Sequence, residues 1–163
     1  MARILVVDDE ALVRAAIAVV LRRAGHGVTL AEDGLDALRK FHPHCFDLVI
    51  TDIVMPRMEG IETMRALRRL EPQIPIIAMS GSEGPDNGLY LRAAIALGAD
   101  AALRKPVSAD ELRHVVDDAL ALPPAETAAL WYRHMPDWHP PLSAPGGPSH
   151  SPRTPADLRV RSN

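Results

Sequence analysis

The chain predicts a doubly wound α/β domain followed by a proline-rich tail, and three observations lead there. Short apolar runs alternate five times with segments of helical periodicity between Ile4 and Leu120, the pattern of a sheet whose strands are joined by helices. The central runs are continuously hydrophobic, as in strands covered on both faces, so the sheet is parallel and each crossover returns through a helix. After Leu122 the apolar period stops, prolines recur every few residues, and Gly-Gly and Ser-Pro pairs accumulate.

Ile4 to Val7 is the first strand, ending in Asp8-Asp9-Glu10. Leu12, Val13, Ala16, Ile17, Val20 and Leu21 then recur at helical spacing up to Gly25. Val28 to Ala31 reads as the second strand. From Asp33 onward, Leu35, Leu38 and Phe41 mark a helix face that Pro43 stops. Leu48 to Ile50 continues to Asp52 as a buried third strand, with Pro56 closing the segment, and Ile61, Met64, Leu67 and Leu70 give the next helix, blocked before Pro72. Ile74 to Met79 is the fourth strand. Ser80 to Gly88 is a turn-rich loop, and Leu91, Ala94, Ile95 and Leu97 share a helical face closed by Gly98. Ala101 to Leu103 is a short fifth strand, and Ser108 with Glu111 forms a capping box for a last helix burying Leu112, Val115, Val116, Ala119 and Leu120.

These elements place a domain at residues 1–122 and a mostly disordered tail at 123–163, with a short helix expected around Glu126 to Arg133. The formal net charge of -3 argues against a broad nucleic-acid footprint, and the tail's Arg153, Arg159 and Arg161 are too sparse to supply one. No stretch approaches the roughly 18 apolar residues of a membrane span, and charged Asp8 and Asp9 arrive too early for a signal peptide. Cys45 is the lone cysteine, which excludes an intramolecular disulfide framework and fits a reducing, cytoplasmic compartment. His42, His44 and Cys45 lie in one short loop without a second ligand pair, so they read as surface histidines beside a semi-buried cysteine. His26 and His114 fall on helix ends or polar faces. Trp131 to His139 holds both tryptophans and reads as a docking segment, with incidental composition as its rival.

In a doubly wound sheet the carboxyl ends of the strands converge on one edge, where ligands bind. The residues there are Asp8 and Asp9, Asp52, Ser80, and Lys105 followed by Pro106. Three carboxylates at close range resist full ionisation unless a cation sits among them. All-oxygen donors favour Mg²⁺, which keeps water and phosphate oxygens as its remaining ligands. Lys105 supplies a fixed charge for a phosphoryl oxygen and the Ser80 hydroxyl can donate to another, leaving Asp52 as the nucleophile of an acyl-phosphate cycle.

The set Asp8-Asp9, Asp52 within Thr-Asp-Ile-Val-Met-Pro-Arg-Met-Glu-Gly, Ser80, Gly98-Ala99-Asp100 and Lys105-Pro106 closely resembles the receiver domain of bacterial response regulators, over about Ala2 to Ala121. The resemblance implies a flavodoxin-like five-stranded sheet of order 2-1-3-4-5. It also implies Mg²⁺ held by Asp9, Asp52 and the Val54 backbone carbonyl, with Asp8 acting through the metal's water shell. Asp52 would be the phosphoacceptor, Lys105 the phosphate's counter-charge, Ser80 the switch hydroxyl and Gly81 a phosphate-binding amide. The Lys105-Pro106 peptide would be cis. The phosphodonor would be a sensor histidine kinase or a histidine phosphotransfer protein, and the output face would comprise the fourth helix, fifth strand and fifth helix.

Two departures accompany the resemblance. Receivers usually carry Tyr or Phe three residues before the lysine, where this chain has Ala102, and the loop after Ser80 is about three residues longer than usual. That loop, from Gly81 to Gly88, is then the expected mobile element in place of a rotating ring. Val54 offers no polar group to a hydrolytic water, so self-dephosphorylation should be slow. It also occupies the place where a phosphohydrolase of the haloacid dehalogenase type would need a second aspartate. The expected function is a stand-alone, chemotaxis-type response regulator: a phosphoacceptor and protein-interaction switch, not an enzyme acting on a separate substrate. A phosphotransfer shuttle or phosphate sink remains the alternative.

Overall fold

The structure, a computed structural model, describes residues 1–81 and 89–121. Expectations placed on the loop beyond Gly81, on Ser82 and on the tail at 123–163, including the helix near Glu126 and docking through Trp131 to His139, lie outside the described residues. The order is β1 (Arg3–Val7), α1 (Ala11–Arg23), β2 (Gly27–Ala31), α2 (Gly34–Lys40), β3 (Leu48–Asp52), α3 (Gly60–Leu70), β4 (Ile76–Ser80), α4 (Leu89–Ala96), β5 (Ala101–Arg104) and α5 (Ala109–Ala121). All neighbouring strands are parallel and their order is β2-β1-β3-β4-β5, the one implied by the resemblance.

Successive strand residues feed opposite faces of the sheet, and the core divides accordingly. Leu5, Val7, Val49, Ile76, Ala78 and Ala102 pack with Ala37, Met64, Leu67, Leu91 and Ala94 from α2, α3 and α4. Ile4, Val6, Leu48, Ile50, Ile77, Met79 and Leu103 pack with Ile17 and Leu21 of α1 and Leu112, Val115, Val116 and Ala119 of α5. β3 and β4 are buried along their whole length, which explains their unbroken apolar sequences.

The expected helical stripes hold in part: Ile17, Leu21, Met64, Leu67, Leu112, Val115, Val116 and Ala119 are buried, whereas Ala16, in the middle of α1, is exposed and Ala18 is buried in its place. Leu12 and Leu35 were expected to face the core, yet both are largely exposed, as are Leu70 and Leu97. Leu12 and Leu35 belong to the first turns of α1 and α2, at the strands' carboxyl edge. Cys45 also departs from expectation, being exposed. Gly98 closes α4 with φ of 106°, a left-handed conformation suited to glycine, and the Glu111 amide donates to the Ser108 hydroxyl at 3.1 Å, as the capping box requires.

Candidate functional site

Strand register brings the polar strand ends together. Val7 is level with Thr51, Asp52 with Met79, and Ser80 with Arg104, so Asp8, Asp52, Ser80 and Lys105 all emerge at one edge. Asp8, Asp52 and Ser80 are buried, and Asp9 is exposed. The Lys105 ammonium bridges the two buried acids, at 2.6 Å from Asp52 Oδ2 and 2.7 Å from Asp8 Oδ2. The Lys105-Pro106 peptide is cis, as expected.

These charges condition one another. Burial pushes the Asp8 carboxyl above its ordinary value, only partly opposed by hydrogen bonds from Lys105 and the Glu10 amide. Burial would pull Lys105 down, but hydrogen bonds to Asp52 and then Asp8 outweigh it and hold the ammonium above the usual lysine value. Carboxylate oxygens of Asp8, Asp9 and Asp52 lie within 4.8 Å of one another. An all-oxygen acidic cluster of this size fits a hard divalent cation such as Mg²⁺.

The backbone fixes the acids further. The Val54 amide donates to Asp52 Oδ1 at 3.2 Å, the Glu10 amide donates to Asp8 Oδ1 at 2.9 Å, and Arg14 donates to the Asp8 carbonyl at 2.5 Å. Val54 itself is 55% exposed, so an apolar side chain stands on the rim beside Asp52. Asp9, Asp52, Ser80, Gly81 and Lys105 line one open hollow of about 880 Å³, whose far wall is apolar, from Val13 and Ile17 of α1 to Leu112 of α5. Ala102 is 3% exposed and lies in the core cluster that includes Leu91 and Ala94 of α4.

Several contributors were not legible beforehand. Glu10 approaches Lys105 at 3.5 Å; the acidic run Asp8-Asp9-Glu10 was its only signal. Gly60, the first residue of α3, donates its amide to the Ile53 carbonyl at 2.9 Å, and a Cβ there would lie 1.9 Å from the Asp52 carbonyl oxygen. Glycine opening a helix without a capping side chain was the available hint. Arg57 pairs with Asp33 and Glu32 across two loops, which no sequence spacing announces.

Among the described residues, no helix is long and apolar enough to cross a membrane. Residues 4–117 match the family model described as the response regulator receiver domain. The transcriptional regulatory protein ZraR of Klebsiella oxytoca is 38% identical over 118 residues, which cover 72% of this chain and 26% of that protein. The response regulator MprA of Mycobacterium sp. (strain KMS) is 36% identical over 68% of this chain and 46% of its own length. The chain therefore spans less than half of these relatives. Among solved structures, a response regulator receiver domain protein from Clostridium thermocellum is 34% identical with a TM-score of 0.66, covering 74% of this chain and 94% of that one. The chemotaxis response regulator CheY4 of Vibrio cholerae is 31% identical with a TM-score of 0.62, covering 74% of this chain and 99% of that one. With its strand order, its acid cluster and the extent of these matches, the chain belongs to the response regulator receiver domain family, phosphoacceptor modules of two-component signalling that work with histidine kinases.

Proposed function

We propose that this chain is a single-receiver response regulator, phosphorylated on Asp52 by a histidine kinase or a histidine phosphotransfer protein, whose phosphorylation switches its binding to an output protein. The observation that carries the reading is the Lys105 bridge, at 2.6 and 2.7 Å, between two buried acids at the sheet edge. A lysine so placed neutralises the pair at rest and is in reach of a phosphoryl oxygen when Asp52 is modified.

In the proposed reaction an Asp52 oxygen attacks the phosphorus of a phosphohistidine. The bond from phosphorus to the donor's imidazole nitrogen breaks, and that nitrogen keeps the electron pair and is protonated. Asp9, Asp52 and the Val54 carbonyl would hold Mg²⁺, with Asp8 acting through its water. When bound, the ion supplies charge that neutralises phosphoryl oxygens. Lys105 takes a second phosphoryl oxygen, and the Ser80 hydroxyl and Gly81 amide take the third. Mass spectrometry after incubation with Mg²⁺ and acetyl phosphate tests the assignment: the wild type gains one phosphoryl group and Asp52→Asn gains none. Equal gain in the variant would sink it.

A further inference from the structure

Beyond the acid cluster, the loop that leaves Asp52 is fastened at a second point. Arg57 sits in it with φ of 69°, a left-handed conformation that side chains other than glycine adopt only when their surroundings impose it. Its guanidinium contacts the Asp33 carboxylate and stands 3.1 Å from Glu32 Oε1. Asp33 is only 1% exposed, and its other oxygen is already committed, accepting from the Asp36 amide at 2.7 Å to cap α2. Arg57 is the cation set against this buried carboxylate.

The start of α2 packs against α3 and the loop before it close to Asp33. Gly34 packs so closely that a Cβ would lie 2.0 Å from Thr63 Oγ1 and 2.9 Å from Met58 Cγ. Ile53 and Met55 are buried, while Val54 between them is exposed and its amide orients Asp52 Oδ1. The segment from Ile53 to Glu59 is thus held at Asp52 and Gly60 on one side and at Arg57 on the other.

We propose that Arg57, through Asp33 and Glu32, is a positioning residue for the phosphoacceptor loop, setting both Mg²⁺ affinity and the rate at which Asp52 accepts a phosphoryl group. This rests on the reading of Asp52 and Val54 given above. Arg57 need touch neither ion nor phosphate. It fixes the loop whose backbone orients Asp52 and would offer the Val54 carbonyl.

Calorimetric Mg²⁺ titration and amide hydrogen exchange, on the full chain and on Arg57→Gln, Arg57→Lys and Asp33→Asn, test it. Asparagine retains the capping oxygen of α2 while removing the charge. Arg57→Gln is expected to weaken Mg²⁺ binding roughly tenfold, in the range of residues that orient metal ligands. Exchange should quicken from Ile53 to Gly60 and stay unchanged in β1 and α5. Asp33→Asn should reproduce this, the double variant should add little, and Arg57→Lys should restore most of the affinity. Phosphoryl gain from acetyl phosphate should slow in parallel with the lost affinity. Arg57→Gln with affinity within about twofold of wild type and unchanged loop exchange overturns the proposal. If the wild type gained no phosphoryl group, the reading of Asp52 would fall while the titration and exchange still decided the role of Arg57.

Discussion

Lys105 is the residue on which the resting site depends, because it is the cation against both buried acids. Lys105→Met leaves Asp8 and Asp52 facing each other without it, which should cost on the order of 3 kcal/mol of stability, read by urea denaturation. Phosphoryl gain from acetyl phosphate should fall by about a hundredfold, the scale of removing one preorganised charge. Val54, exposed on the rim, makes a separate prediction: Val54→Asn gives a hydrolytic water a polar partner and should shorten the lifetime of the phosphorylated protein, measured by its decay after donor removal. At this scale the residues that were legible are those that end a strand, since an acid or lysine closing an apolar run is visible in one dimension. Glu10, Arg14 and Arg57 were not, because their contacts depend on how the chain turns between elements, which no residue spacing displays.

Most departures from the helical period lie at helix ends, Ala16 in the middle of α1 being an exception. The thirteen residues of α1 run about 20 Å and a five-residue strand about 17 Å, so the first turn outreaches the sheet and Leu12 finds nothing beneath it. The start of α3 illustrates the opposite case, an end packed so closely that only glycine fits. Gly60→Ala would drive a Cβ into the Asp52 carbonyl, and a loss of about 3 kcal/mol in stability is expected, with slower phosphoryl gain because the backbone of the proposed phosphoacceptor must shift. In α2, a hydrogen bond from Lys40 at 2.6 Å holds Asp36 below the ordinary aspartate value, assisted by the Glu32 amide. Its contribution is therefore complete above the unfolded pKa of 3.8 and disappears as pH falls through the lower folded value. Asp36→Asn should cost about 0.5 kcal/mol at pH 7, and the difference from wild type should vanish in acid, as measured by chemical denaturation across pH.

For the whole molecule, an acid cluster assembled only in the folded state predicts linkage between ion binding and stability. Mg²⁺ at about a hundred times its dissociation constant should stabilise the chain by about 2.7 kcal/mol, seen as a rise in Tm, and Asp9→Ala should remove most of that rise. The fold class was legible because five strand and helix alternations admit few arrangements, whereas the order of the strands came through family resemblance and not from the alternation itself. The flush register of β1, β3, β4 and β5 carries one more consequence. Asp52 and its counter-ion Lys105 are 53 positions apart in the chain, and the lysine follows the last strand of the sheet. A nascent chain exposes Asp52 well before that lysine exists to meet it. On the proposed function, the phosphoryl mark would be written efficiently only on molecules that have completed their sheet, and chains still being made would be passed over.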